Sequence, residues 1–169
     1  MASRPDDLPA PPGLDRPPSA ELPQAAGAGP SASPRPINPP DWAPPRGYQN
    51  GMLAPAGRRL LAVAGQIGWD AGARLVQPRE GEDAFVAQFA QALRNVLTVV
   101  RCAGGDVADL MSLRVYVTDK RRYLLHCKAL GSAYREVLGR HYPAMALVQV
   151  ADLVEEGALV EIEALAALA

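Results

Sequence analysis

Hydrophobic spacing changes period several times along the chain, and each change marks an element. Residues 60–67, LLAVAGQI, are almost continuously apolar and read as a buried strand broken only at Gly65-Gln66. Residues 48–53 read as its partner strand, across a turn at Pro55-Ala-Gly57. Residues 68–81 read as a loop with a turn at Asp70-Ala-Gly72. From about residue 83 to 103 the period becomes helical. Phe85, Phe89, Leu93, Val96 and Val100 form one apolar stripe, which Val86 and Leu97 widen. Asp83 suits the N-cap, and Gly104-Gly105 ends the helix. Residues 110–118 alternate: Met111, Leu113, Val115 and Val117 point one way, Ser112, Arg114, Tyr116 and Thr118 the other. A second helix is predicted over 121–138, with Tyr123, Cys127, Leu130, Tyr134, Val137 and Leu138 inward and Gly139 as its stop. Strands at 144–151 and 158–168 close the chain, joined through a turn at Val154-Glu-Glu-Gly157.

Two strands, a helix, a strand, a helix and two strands, with short links, predict an α+β fold rather than a doubly wound parallel sheet. Both helices would cover one face of the sheet. The other face also carries Val and Leu, so it is expected to be buried by further subunits.

Composition divides the 169 residues in two. Fourteen of the 17 prolines lie in residues 1–45. Residues 1–36 are mostly Pro, Ala, Gly and Ser, which cannot bury enough surface to offset the entropy of ordering. A disordered tail is expected there, with a domain over 37–169. That domain carries fourteen basic and fourteen acidic residues, so nothing predicts a nucleic-acid partner. No apolar run is long enough to predict a membrane span, and residues 1–12 lack the apolar stretch of a secretory signal. Cys102 and Cys127 lack the spacing of a zinc site or a disulfide framework. A reduced, cytoplasmic protein is expected.

Few residues carry the marks of chemistry. His126 and Cys127 are neighbours on a predicted helix, so their side chains diverge by about 100° and form no dyad. Cys127 falls in the core stripe, His141 reads as a loop residue, and Lys120-Arg121-Arg122 as a solvated turn. Glu161 and Glu163 alternate with Val160 and Ile162, which places two carboxylates on one strand face. If one lies beside a cleft, it can position or activate water; otherwise the pair guards an edge strand against aggregation. At Gly65-Gln66 a glycine permits close backbone approach, and the amide offers donors and an acceptor.

Several short segments, in this order and at this spacing, resemble the RidA/YjgF family of reactive intermediate deaminases. They are Arg46-Gly-Tyr48, Val63-Ala-Gly-Gln-Ile67, Gln88-Phe-Ala-Gln-Ala-Leu-Arg-Asn-Val96 and Ala103-Gly-Gly105. Val115-Tyr-Val-Thr-Asp119, His141-Tyr-Pro-Ala144 and Val160-Glu-Ile-Glu-Ala164 complete the set. The resemblance implies a chorismate-mutase-like fold and a homotrimer whose sheets form a central barrel, with small-molecule clefts between subunits. It also implies hydrolysis of 2-iminopropanoate and related enamines or imines, with no metal or bound cofactor. Tyr48 would line the cleft, Glu161 would position the attacking water, and Gly65 and Gln66 would lie behind the cleft. Where the family holds the substrate carboxylate with an Arg after Pro-Ala, this chain has Met145. A thioether cannot replace two charge-assisted hydrogen bonds. Arg114 is an additional cation on its strand's polar face, able either to supply the charge or to pair with Glu161 or Glu163. Two readings follow: hydrolysis of a neutral or larger imine, enamine or carbonyl compound, or a non-catalytic trimer that binds a metabolite or partner. A translation-inhibitor or nuclease role, assigned to some members, fits the neutral charge least.

Overall fold

The computed structural model describes residues 33–169. The apolar stripe at 85–100 becomes helix α1 (Ala84–Cys102). Asp83 caps it, its side chain accepting from the Phe85 N–H at 2.8 Å. Gly104, at φ +87°, takes the left-handed turn that stops it. Strand β3 (Arg59–Ile67) precedes α1, and β4 (Leu110–Val117) follows it. After two further helices come β5 (Ala144–Gln149) and β6 (Val160–Leu168). The sheet order is β3-β6-β4-β5, antiparallel except between β4 and β5, so the fold is α+β with a mixed sheet. A parallel β4–β5 pair needs a crossover, which the second helical segment supplies.

Three local readings change. Residues 48–53 do not pair with β3. Their strand part, β2 (Gly51–Leu53), pairs antiparallel with β1 (Arg35–Ile37) in a separate two-stranded sheet. Asn38 fixes this pairing, its Oδ1 accepting from the Asn50 N–H at 2.9 Å. β1 begins two residues ahead of the boundary placed at residue 37, and the tail reading for 1–32 lies outside the described residues. The alternation in β4 starts one residue out of phase. A bulge between Leu110 and Ser112 absorbs Met111, so fully buried Leu110 takes the inward place. The second helix is two helices, α2 (Lys120–Leu125) and α3 (Cys127–Leu138), joined at His126. The break resets the helical phase. Leu130, Ala133, Tyr134 and Leu138 are buried, whereas Cys127, expected in the core, is exposed.

Helices α1 and α3 cover one sheet face and pack on Val63, Leu113, Val115, Ile162 and Ala164. Each large apolar side chain buried there contributes about 1.5–3 kcal/mol. Gln88 is the one buried polar side chain among the described residues. It is satisfied at both ends, donating to the Gly157 carbonyl at 3.0 Å and accepting from the Leu159 N–H at 2.8 Å. That brace ties the start of β6 to α1. The opposite sheet face leaves Leu60, Val148 and Leu165 exposed, Leu60 at 75%. Among the described residues no helix is long and apolar enough to cross a membrane.

Candidate functional site

The Gly65-Gln66 interruption is a bulge. Val63 pairs with Ala164 and Gln66 with Ile162, so two residues of β3 oppose the single Glu163 of β6. The bulge explains the glycine. A Cβ at Gly65 would collide with the Glu161 carboxylate, whose Cδ would lie at 2.6 Å. Gln66 turns back on the bulge, its amide donating to the Ala64 and Gly65 carbonyls at 3.2 Å each. Asn95 of α1 pins the strand's far end, donating to the carbonyls of Ile67 and Trp69 at 3.0 Å. Glu161 is half-buried and makes no side-chain hydrogen bond or ion pair among the described residues. It is a half-exposed carboxylate held over a flat backbone, an arrangement able to accept from water.

Glu163, two residues along the same face, is differently placed. It accepts from Arg114 Nη1 at 2.7 Å and from the Tyr116 hydroxyl at 3.0 Å. The Arg114 hydrogen bond, then that of Tyr116, holds its carboxyl below the usual range. The same contact pushes the Tyr116 phenol up. Of the two readings for Arg114, the structure therefore shows the ion pair with Glu163.

Tyr48 and Met145 come together elsewhere. Gly47, at φ +79°, turns the 46–48 loop, and the Gln49 N–H donates to the Pro143 carbonyl at 3.0 Å, which sets the loop beside β5. Between this loop, α3 and β5 lies a cleft of about 390 Å3. Tyr48, Tyr123, Tyr134 and Tyr142 line it, Tyr134 and Tyr142 as a parallel stack with centroids 5.4 Å apart. Leu130, Met145 and Leu147 supply its apolar wall. Burial pushes the phenols of Tyr134 and Tyr123 up, so both stay neutral donors at ordinary pH. The Tyr134 hydroxyl donates to the His141 carbonyl at 2.8 Å. The His141 Nε2 is 2.8 Å from the Leu110 carbonyl, a pure acceptor, so this nitrogen carries the proton and donates. His141 thus braces the chain beside β5. A second, shallower hollow of about 360 Å3 is lined by Tyr48, Met145, Asn50, Ser112 and Arg114.

The predicted residues therefore fall into two groups. Gly65, Gln66 and Glu161 form a corner on β3 and β6. Tyr48, Met145 and Arg114 gather around β5, and neither hollow is lined by a residue of the corner. Sequence reasoning missed the residues that place these groups. Arg122, read as solvated, forms a two-pronged ion pair with Asp83, both contacts at 2.9 Å, with His126 at 3.4 Å from the same carboxylate. That ties α2 to the start of α1. The signal was available as an isolated N-cap Asp and a lone basic run, but nothing in spacing links residues 39 apart. Among the described residues no group of three or more His, Cys, Asp or Glu is placed to hold a metal ion.

Comparison with known proteins gives this geometry a family. A RutC family protein of Pyrococcus horikoshii is 30% identical over 110 residues, covering 63% of this chain and 78% of that protein. The crystal structure of YyfB, a Rid family protein of Yersinia pestis, is 32% identical with a TM-score of 0.69. It covers 80% of this chain and 99% of its own. Escherichia coli TdcF, solved with bound serine, is 26% identical with a TM-score of 0.54, covering 81% of this chain and 94% of its own. The family model described as Endoribonuclease L-PSP matches residues 43–168, three-quarters of the chain, and the chain belongs to that family, the Rid/YjgF proteins.

Proposed function

We propose that the protein is a RidA-type hydrolase of an enamine, an imine or a related reactive carbonyl-derived metabolite, acting as a homotrimer. The observation that carries this reading is the Gly65–Glu161 corner. A backbone bulge leaves room for an unpaired carboxylate, the group such chemistry needs to orient water. In the reaction, water adds to the C=N carbon while the nitrogen takes a proton. The carbinolamine then expels ammonia and leaves a carbonyl. Glu161 accepts the proton of the attacking water.

The separation of the two residue groups supports a shared site. Glu161 lies away from the Tyr48–Met145 cleft within one chain, and the exposed Leu60, Val148 and Leu165 give the sheet face an apolar surface for a second copy. A neighbouring subunit that brings its corner to the cleft completes the site, with Gly65 and Gln66 behind Glu161 and with Tyr48 and Met145 as the wall. No metal or cofactor is assigned a role. This function belongs to the domain that opens with β1 at Arg35.

Met145 sets the limit of the activity. It is half-buried against the core beside Leu113, and it offers no charge to a small 2-imino acid. The test is ammonia release from 2-iminopropanoate, generated in place by an amino-acid oxidase, for the wild type, Met145→Arg and Glu161→Gln. The expected result is weak wild-type release, a rise of at least tenfold in Met145→Arg, and loss in Glu161→Gln. Inactivity of the first two here and on larger imines overturns the hydrolase reading and leaves a ligand-binding trimer.

A further inference from the structure

Resting on that reading, we propose that the cleft between α3 and β5 takes an anionic ligand with a flat, apolar body larger than pyruvate. Arg46 and Arg135 grip its anionic group in place of a guanidinium at position 145.

Charge is the first argument. Arg46 and Arg135 both line the cleft, and among the described residues no Asp or Glu does. Arg58, Arg74, Arg101, Arg114 and Arg122 are each paired with a carboxylate. Among the described residues Arg46 and Arg135 are in no ion pair, and the Arg135 side chain donates only to the Ser132 hydroxyl, at 3.3 Å. Two guanidinium groups beside an acid-free hollow form a site for carboxylate or phosphate oxygens.

The backbone beneath Arg135 is the second argument. Gly131 sits inside α3, where glycine disfavours the helix. A Cβ there would lie 3.3 Å from Arg135 Nη1, closer than such atoms ordinarily rest. Glycine at 131 lets the guanidinium lie against the helix, on the lining of the cleft it shares with Arg135.

The walls give the third. The parallel Tyr134–Tyr142 stack, with Tyr48 and Tyr123, offers flat faces, and Leu130, Met145 and Leu147 add apolar surface. A cleft of about 390 Å3 has the size of a metabolite site rather than of a three-carbon acid. Met145, which removes one cation, thereby adds to the surface an aryl or long apolar body would cover.

The test uses three probes on the full chain: phenylpyruvate, pyruvate and uncharged 4-phenyl-2-butanone. Calorimetry gives their affinities. Alkylation of Cys127, exposed on the cleft, reports occupancy against Cys102, exposed outside it. Phenylpyruvate is expected to bind at least tenfold more tightly than either other probe and to protect Cys127 but not Cys102. Arg46→Gln and Arg135→Gln are each expected to weaken it about tenfold, with melting temperatures unchanged. Equal binding of the uncharged ketone overturns the proposal, as does unchanged affinity in a folded double variant. Phenylpyruvate binding of this pattern without hydrolysis of any imine sinks the hydrolase reading alone. Imine hydrolysis with a KM indifferent to both arginines sinks this inference alone. Glu161→Gln is expected to lose turnover yet bind phenylpyruvate within about twofold of wild type.

Discussion

The Gly65–Glu161 corner and the Tyr48–Met145 cleft are built by different means. The corner is a backbone feature: a bulge in β3, a missing Cβ, and a carboxylate lying over the gap. Asn95 and Gln88 of α1 lock the strands on either side. Nothing in it can be exchanged without moving the carboxylate. The cleft is a side-chain feature, assembled from a loop, the exposed part of α3 and the first residues of β5. Single substitutions there change charge and shape and leave the backbone alone. Under the proposed function the labour is divided: rigid backbone holds the water-orienting group, and replaceable side chains choose the ligand.

That division breaks or holds at two glycines. A Cβ added at Gly68 would lie 2.5 Å from the Cα of Gln88, which is backbone and cannot yield. Gly68→Ala is expected to destabilise by about 3 kcal/mol in chemical denaturation, because strand and helix must separate. Gly65→Ala meets only the flexible end of Glu161. Its stability loss is expected to stay below about 1 kcal/mol while hydrolytic activity falls at least a hundredfold. Retained activity in Gly65→Ala, with Glu161 displaced, would remove Glu161 from the chemistry.

The next largest effect tests whether the helices under the cleft are held independently of it. Asp83 caps α1 and clamps Arg122 of α2. Asp83→Ala is expected to lose about 2 kcal/mol, and Asp83→Asn, which keeps a capping oxygen, about 1 kcal/mol. The Arg122 hydrogen bonds hold the Asp83 carboxyl below its ordinary value. The unfolded chain therefore takes up this proton first on acidification. The stabilisation is complete above the ordinary Asp range and fades as pH falls through it toward the lower folded value. The gap between wild type and Asp83→Asn is expected to shrink in acid denaturation as pH falls through and below the ordinary Asp range. A constant gap would assign Asp83 to capping alone.

Local periodicity made much of the fold legible. Phe85 to Val100 and Leu113 to Val117 repeat at the period of their element, and Asp83 and Gly104 mark its ends. What failed depended on partners distant in sequence. The strand at 51–53 pairs with Arg35–Ile37 rather than with its neighbour because Asn38 and Asn50 meet. The break at His126 leaves no trace in composition, and it turned Cys127 from core residue into cleft residue. For the site, Gly65 was legible as a place of close approach, but its partner, Glu161, lies 96 residues on. Met145 stood out because a family pattern called for another residue. Arg46 and Arg135 had no such pattern behind them, and only the folded chain puts them on one cleft.

The smallest effect concerns Arg114, which stands between the two regions. It shares a hollow with Tyr48 and Met145, yet its guanidinium is bound to Glu163 of the corner's strand at 2.7 Å. Both partners are solvent-accessible, so Glu163→Gln is expected to leave the melting temperature unchanged. The Tyr116 phenol, raised first by its hydrogen bond to Glu163, is expected to titrate lower in that variant, visible as a difference in phenolate absorbance. Freed from its acid, Arg114 can turn toward the hollow and offer charge to a small carboxylate. Pyruvate affinity is then expected to rise several-fold over wild type, below the gain from a guanidinium at position 145 itself. An unchanged affinity, with the Tyr116 shift present, places Arg114 with the sheet and outside ligand choice, leaving the cleft's charge to the loop and α3.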